Sequence, residues 1–218
     1  SGENVTITSS ADLVSLENIA FASLKGFTVQ SGSSVIMNTG SFSSCSATDG
    51  GAVYVASGAE FLGDTVTFSA CSATNYGGAI YSEGDVTLET CSITSCSAGH
   101  GGAIFAKNCE LGLNNCTISG NSSTSEAGAI QLSGSDTTPA SLIMYECIIG
   151  TETPSALASA TKDECLAAGG NYSSGGGGGI LLGNYSTLES TNSKINGNYS
   201  GGAGGGINAG GTSSNTNV

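Results

Sequence analysis

Gly77-Gly78-Ala79-Ile80 and Gly101-Gly102-Ala103-Ile104 are two copies of one motif that returns along the chain at a nearly constant interval. Its other copies or close variants are Gly50-Gly51-Ala52-Val53, Ala127-Gly128-Ala129-Ile130, Gly177-Gly178-Gly179-Ile180 and Gly204-Gly205-Gly206-Ile207. The starting positions 50, 77, 101, 127, 177 and 204 give a period of about 25 residues, with one jump of about two periods. Such a period predicts a solenoid, in which each repeat is one rung that buries its apolar face against its neighbours.

A second motif keeps the same period and precedes the Gly-Gly blocks. It consists of an apolar residue followed three positions later by Cys or Asn, at residues 42–45, 68–71, 93–96, 118–121 and 195–198. A further member is predicted to start at Ile149, with Glu152 in the Cys/Asn place. Alternating runs such as residues 64–68 and 85–89 predict short strands between the motifs, and the Gly-, Ser- and Asn-rich intervals predict turns.

These features predict an all-β fold, a right-handed, single-stranded parallel β-helix of about eight rungs; the hand is that of the usual crossover. Leucine-rich repeats are disfavoured by the scarcity of Leu, and helical repeats by the 35 glycines. Residues 1–218 are expected to form one domain. One column of core residues is predicted at Val53, Ile80, Ile104, Ile130, Ile180 and Ile207, and another at Phe42, Phe68, Ile93, Ile118 and Ile195.

The segment from about residue 151 to 174 breaks the period and is predicted to be an insertion. Its sequence Thr161-Lys162-Asp163-Glu164 has the pattern of a helix capping box, and Gly169 fits the position after a helix C-cap, so a short helix is predicted. Excursions of this kind often carry recognition in solenoids. Cys165 lies outside the repeating positions and is the best candidate for a disulfide outside the ladders.

The other cysteines fall into columns. A corner ladder is predicted from Cys45, Cys71, Cys96, Asn121 and Asn198, and an inward-facing column from Val66, Cys91, Cys116 and Cys147, with Cys109 sharing the parity of Leu111 and Leu113. Two interpretations stay open: small core residues, or disulfides between adjacent rungs. Zinc is disfavoured, because the sequence has no Cys-x-x-Cys pair and a column of single residues cannot form a tetrahedron.

Composition excludes several classes of function. The chain has 4 Lys, no Arg and 17 acidic residues, a formal net charge of −13, so binding to nucleic acid is excluded on electrostatic grounds. No apolar run reaches the roughly 18 residues of a membrane span, so no membrane insertion is expected. Low charge density with abundant Ser, Thr, Asn and Gly is typical of secreted or cell-surface proteins. No cofactor and no metal site are expected.

Enzymatic chemistry finds little support in the sequence. Gly99-His100-Gly101 resembles a motif of polygalacturonase-type hydrolases, but their companion motifs with paired aspartates are missing, and lyase chemistry lacks an arginine. His100 occupies the place that Asp49 and Tyr76 hold in other rungs and is interpreted as a turn residue. The protein is therefore not expected to be an enzyme, and a carbohydrate-active enzyme is retained only as a minor alternative.

An aromatic stripe is predicted on the outside of the solenoid. Tyr54, Tyr81 and Phe105 each follow a residue of the first core column, so strand alternation points them outward, with Ala52, Ala79 and Ala103 on the same face. The stripe has two interpretations, ordinary stacking between rungs or an interaction surface for a glycan, a partner protein or a neighbouring solenoid.

The alternation of the two motifs resembles the repeats of bacterial polymorphic outer membrane proteins, whose second motif is Phe-x-x-Asn. Residues 50–53, 77–80, 101–104 and 127–130 match the first motif, while 118–121 and 195–198 approach the second with Ile in place of Phe. Residues 42–45 and 68–71 keep the Phe but have Cys for Asn, and the resemblance covers roughly residues 35–210. It implies an autotransporter-type surface adhesin with a β-helical passenger; other microbial β-helix surface proteins share such corners.

The leading expectation for function is therefore a non-enzymatic, extracellular adhesin-like passenger segment. The main alternative is a structural subunit of an extracellular filament, built by end-to-end or lateral stacking of solenoids. An ice-binding solenoid is a minor possibility, because the Thr pairs do not recur on one column. Because the terminal strands lack obvious caps, other copies of the chain or a longer parent solenoid are expected partners. The aromatic stripe adds a glycan or a host-surface protein as a further expected partner.

Overall fold

The computed structural model describes residues 3–8, 13–151, 161–210 and 215–217. Within them the strands wind into a curled stack of three parallel sheets, and the predicted parallel β-helix is confirmed. Each rung passes through the three sheets in turn, and every recorded strand pairing is parallel, with partners one rung away. Hydrogen bonds between rungs therefore replace the local bonds of a helix or a hairpin.

The three sheets differ in strand length. The first sheet contains Asn4–Ile7, Gly26–Val29, Val53–Val55, Ile80–Ser82, Ile104–Lys107, Ile130–Ser133, Ile180–Leu182 and Ile207–Ala209. The second contains Leu13–Ala22, Ser34–Ser43, Glu60–Ser69, Asp85–Glu89, Ser92–Thr94, Glu110–Asn114, Thr117–Ser119, Ala140–Tyr145, Ile148–Gly150, Ser186–Thr191, Lys194–Asn196 and Asn215–Asn217. The third contains Ser46–Asp49, Ser72–Tyr76, Ser97–His100, Ser122–Glu126, Tyr172–Ser173 and Tyr199–Ser200.

The core consists of side chains stacked in register from rung to rung. Strand pairing aligns Phe27, Val53, Ile80, Ile104, Ile130, Ile180 and Ile207 in the first sheet. In the second sheet it aligns Phe21, Phe42, Phe68, Ile93, Ile118, Ile149 and Ile195. Most members of both columns are buried, whereas Phe21, Ile195 and Ile207, near the two ends of the described stack, are half-buried.

The long interval between residues 127 and 177 is one enlarged rung. Ile130–Ser133 pairs directly with Ile180–Leu182, so no separate Gly-Gly rung lies between them. The predicted insertion is shorter than expected, since Tyr172–Ser173 pairs with both Ser122–Ser123 and Tyr199–Ser200 in the third sheet. The chain has thus rejoined the stack by Asn171, twenty residues after Thr151 and three residues before the approximate end predicted for the insertion.

Helix α1, Lys162–Ala167, lies in this excursion and has the predicted capping box. The Thr161 backbone N–H donates to Glu164 Oε2 at 2.8 Å, and the Glu164 backbone N–H donates to Thr161 Oγ1 at 3.3 Å. At the other end, Gly169 has φ +81° and its N–H donates to the Leu166 carbonyl, while the Gly170 N–H donates to the Cys165 carbonyl. Both caps together explain why so short a helix forms here.

The corner ladder continues through Asn171. Asn121 Nδ2 donates to Asn171 Oδ1 at 3.0 Å, and Asn171 Nδ2 donates to Asn198 Oδ1 at 2.9 Å. The Cys/Asn place of the enlarged rung was predicted at Glu152, which lies outside the described residues; the structure puts Asn171 in that place. Each Asn also serves the preceding rung: Asn121 accepts from the Cys96 N–H at 2.9 Å and donates to the Ile93 carbonyl at 3.0 Å.

Candidate functional site

The outer face of the first sheet carries the predicted interaction residues. Strand pairing aligns Thr6, Thr28, Tyr54, Tyr81, Phe105, Gln131, Leu181 and Asn208 in one column. The Tyr54 and Tyr81 rings stack with centroids 5.4 Å apart and an interplanar angle of 15°. The Tyr81 and Phe105 rings meet edge to face at 5.8 Å. The three aromatic residues are therefore successive neighbours, as the repeat spacing predicted.

Their predicted exposure is wrong for two of the three. Tyr81 is only 9% exposed and Phe105 only 6%, whereas Tyr54 is half-buried. The cover comes from the third sheet: the ring of Tyr76, at the end of Ser72–Tyr76, lies 4.8 Å from the Phe105 ring and 5.5 Å from the Tyr81 ring. Tyr76 itself is 37% exposed, so it forms the outer surface of a small aromatic layer.

The predicted position of Ala52, Ala79 and Ala103 on that outer face is also wrong. All three are fully buried and belong to the hydrophobic core. The alanines lie at the corner before the strands, which begin only at Val53, Ile80 and Ile104. At this corner the N–H groups of both Ala52 and Val53 donate to the Ala79 carbonyl at 2.9 Å, so the strict alternation on which the prediction rested does not extend back to the alanines.

A second column borders the aromatic layer. It is formed by the residues that precede the Gly-Gly blocks, Asp49, Tyr76, His100 and Glu126, which the third sheet aligns. His100 ends a strand of this sheet; its ring lies 5.6 Å from Tyr76, and its Nδ1 lies 3.8 Å from Glu126 Oε2. Gln131 Nε2 donates to the same carboxylate at 3.2 Å. His100 therefore packs between the side chains of Tyr76 and Glu126, its neighbours in the column.

Glu83 joins three outward side chains at the opposite border of the aromatic layer. Its Oε1 accepts from Lys107 Nζ at 2.9 Å and its Oε2 accepts from the Tyr54 hydroxyl at 2.8 Å. Desolvation opposes ionisation of Glu83, but hydrogen bonds from Lys107, Tyr54 and Tyr81 outweigh it and lower its pKa. Burial and then the Glu83 carboxylate raise the pKa of Tyr54 to about 12, so this phenol stays a hydrogen-bond donor at neutral pH.

Beyond Tyr54 the column changes from aromatic residues to threonine, and the surface opens into a groove. The groove has a volume of about 540 Å³ and is lined by Asn4, Thr6, Lys25, Gly26, Thr28, Ala47, Thr48, Asp49, Tyr54, Tyr81 and Glu83. Small residues form its floor because Thr6 and Thr28 precede Tyr54 in register. The groove therefore runs along the solenoid from Thr6 to the stacked rings of Tyr54 and Tyr81.

Asp49 differs from the other carboxylate of this groove, Glu83, in its hydrogen bonding. Its Oδ1 is shielded from solvent and has no hydrogen-bond partner among the described residues. Glu83, in contrast, is held by Lys107 and Tyr54. A shielded carboxylate oxygen without a donor is unfavourable, so this position is suited to a group that brings an N–H or O–H.

The arrangement is suited to binding. Threonine hydroxyls, the Asp49 carboxylate and one tyrosine ring face supply hydrogen bonds and an apolar platform. Asp49, Tyr76, Glu83 and Lys107 were not predicted as site residues. The column before the Gly-Gly blocks held a usable signal for Asp49 and Tyr76, because the sequence places both at the same point of the repeat. Glu83 and Lys107 occur once each and give no periodic signal.

The thiols form two ladders inside the stack. All eight cysteines are buried and free, so the disulfide predicted for Cys165 is not formed; its Sγ lies 3.5 Å from the Asn171 carbonyl oxygen. Ladder thiols donate to backbone carbonyls, as Cys91 does to Glu89 at 3.2 Å and to Gly63, one rung earlier, at 3.4 Å. Burial raises the pKa of Cys109 to about 11, which suppresses its thiolate at neutral pH.

This burial predicts slow alkylation of the native protein. We expect iodoacetamide, added without reductant or denaturant, to label all eight cysteines at least about 100-fold more slowly than an exposed cysteine peptide, because reaction needs an accessible thiolate. Mass spectrometry after timed quenching measures the rates, and full labelling in denaturant confirms that the thiols are free. Rapid labelling of Cys45, Cys71 and Cys96 in the folded protein would contradict the inward corner ladder.

The chain was compared with family models, with curated proteins and with solved structures, and none of the three comparisons found a match. Among the described residues, no group of three or more His, Cys, Asp and Glu side chains is arranged to hold a metal ion. No helix in the described part of the chain has the length and apolar character to cross a bilayer. The groove and the scaffold beneath it are therefore the features of the molecule that bear on its function.

Proposed function

We propose that the chain is a non-enzymatic binding segment of an extracellular surface protein, an adhesin-like β-helical passenger. The observation that carries this proposal is the groove bounded by Thr28, Asp49 and Tyr54 on the outer face of a rigid stack. Its volume of about 540 Å³ is typical of ligand sites, and its few polar groups converge on one aromatic wall.

The scaffold supports this use. The outer side chains of the first sheet stand on strands whose inward neighbours, such as Val53 and Ile80, are fully buried. Ladder pairing on both sides fixes Tyr54 between Thr28 and Tyr81, so the groove needs little ordering when a ligand binds. Solenoids commonly bind partners along such extended surfaces.

The test is binding of the labelled chain to an array of neutral, cationic and anionic polysaccharides and extracellular-matrix proteins. We expect saturable binding to at least one class, with Tyr54→Ala weakening it about tenfold or more through loss of the aromatic wall. Tyr145→Ala is the matched control, because Tyr145 is 45% exposed on the second sheet, away from the groove. Absence of saturable binding, or release of new sugar ends from the array, would overturn the proposal.

A filament subunit is the second candidate function. The observation that favours it is the first described rung, where Val5, Ile7 and Phe21 are only half-buried and Leu13 is 56% exposed. Exposed and half-buried apolar side chains of this kind favour contact with another copy of the chain. Light scattering of the unlabelled chain over a range of concentrations measures its molar mass in solution. A mass that grows with concentration supports the filament, and a constant monomer mass counts against it.

A further inference from the structure

We propose that the groove takes a cationic saccharide, a short chain of glucosamine units with free amino groups. This inference rests on the proposed binding function and names the class of ligand. It starts from the unpartnered Asp49 carboxylate, whose Oδ1 is shielded and without a hydrogen-bond donor. An ammonium group supplies such a donor together with the opposite charge, which gives a stronger bond than a neutral hydroxyl.

The charges around the groove favour a cation at Asp49. Glu83 is already paired with Lys107 at 2.9 Å, so these two side chains cancel each other. Lys25 also lines the groove, but it is exposed and its long side chain is free to extend into solvent. The chain as a whole carries a net charge of −13, so its field attracts cationic ligands and repels anionic ones.

The rest of the lining suits a sugar ring. The Tyr54 ring closes one end of the groove and offers an apolar face, on which a sugar or an ammonium group gains favourable contact. Thr6, Thr28 and Thr48 present hydroxyls that both donate and accept, as sugar hydroxyls require. Since the terminal torsion of an aspartate is broad, either oxygen of Asp49 can turn toward a donor in the groove.

Tyr54 and Tyr81 differ in exposure and therefore in what they can contribute to the groove. Tyr81 is 9% exposed beneath Tyr76 and is held in the aromatic layer, so it supports the wall from behind. Among the described residues, Tyr81 is the one ring that stacks on Tyr54, and the Tyr54 hydroxyl donates to Glu83 Oε2 at 2.8 Å. The Tyr54 ring is therefore the aromatic surface that a ligand in the groove meets.

The experiment is isothermal titration of the intact chain with three probes of equal length: a glucosamine tetramer, its fully N-acetylated counterpart and a glucose tetramer. At about pH 6 the amino groups are protonated, and we expect the glucosamine tetramer to bind at least about tenfold more tightly than the other two. We expect Asp49→Asn to remove most of this preference, since the substitution keeps the shape and removes the charge.

Asp136→Asn is the matched control, because it removes the same charge at an exposed position outside the groove, and its affinity should stay within about twofold of the unaltered chain. Equal losses in the two variants would mean general attraction to an acidic protein and would overturn the proposal. Equal binding of all three probes would overturn the preference for a cation while leaving surface binding intact. Binding of none of the probes, with saturable binding elsewhere on the array, would refute the ligand class and spare the proposed function.

Discussion

Replacing Gly102 with alanine is expected to destabilise the stack by about 4 kcal/mol or more, one of the largest effects that a single methyl group can have. A Cβ at this position would overlap the carbonyl oxygen of Gly128 and lie 2.6 Å from the Ser122 carbonyl oxygen. Both obstacles are backbone atoms of the next rung, which cannot move without breaking the hydrogen bonds between the two rungs. Urea unfolding followed by far-ultraviolet circular dichroism measures the loss.

Gly112→Ala is the matched control for this prediction. Gly112 lies in the strand Glu110–Asn114, and an added Cβ would come no closer than 3.6 Å to Thr87 Oγ1, an ordinary van der Waals contact. We expect Gly112→Ala to change the free energy of unfolding by less than about 1 kcal/mol, clearly less than Gly102→Ala. An equal or larger loss at Gly112 would contradict the backbone clash assigned to Gly102.

Truncation of Ile104 to alanine is expected to cost about 2–5 kcal/mol. Ile104 is fully buried and stacked between Ile80 and Ile130, whose backbones are fixed by ladder hydrogen bonds. The cavity left by the substitution therefore cannot collapse, and its walls lose their packing contacts.

The control for Ile104→Ala is Ile143→Ala, which removes the same atoms from a strand of the second sheet. Ile143 is 42% exposed, so this change should cost less than about 1 kcal/mol. The urea midpoints and slopes of the two variants, compared with those of the unaltered chain, give the two free energies. Similar losses in both would contradict the placement of Ile104 in the core column.

The sequence predicts the stacked columns because every rung meets the same physical constraint at the same point. The second glycine of each block, as at Gly78 and Gly102, faces a carbonyl of the next rung, so the requirement repeats and becomes visible as a period. Buried Ile and Phe repeat for the same reason, since each packs on its own counterpart one rung away. What is periodic in the fold was therefore readable from one sequence.

Features that depend on contact between different columns could not be read in this way. The cover of Phe105 by Tyr76 arises where the end of the third sheet meets the outer face of the first, and no spacing along the chain reveals that meeting. The corner that buries Ala79 is equally hard to predict, because alanine suits either face of a strand. The groove was not predicted either. It opens where threonine replaces the aromatic side chains of the outer column, beside residues of the third sheet such as Asp49.

Backbone conformation was also beyond prediction at one bend of the second sheet. Thr39, Thr65 and Thr90 all have φ between +52° and +56°, a region that β-branched residues seldom adopt. The intrinsic φ/ψ preference of threonine disfavours this conformation at each of the three positions. Stacking overrides it, because neighbouring rungs must bend at the same point to keep their hydrogen bonds.

The asparagine ladder imposes an order on the folding of the rungs, because each corner is completed by a residue that comes later in the chain. The Cys96 N–H is satisfied by Asn121, 25 residues further along the chain, and the Asn121 N–H by Asn171, 50 residues further along. A ribosome produces the earlier residue first, and so does any export process that threads the amino end ahead. When a corner emerges from the ribosome or from the export channel, the asparagine side chain that accepts its N–H has not yet emerged. Each rung is thus completed only when the next rung has emerged. Because of the enlarged rung, the Asn121 corner must wait for about twice as many residues as the Cys96 corner.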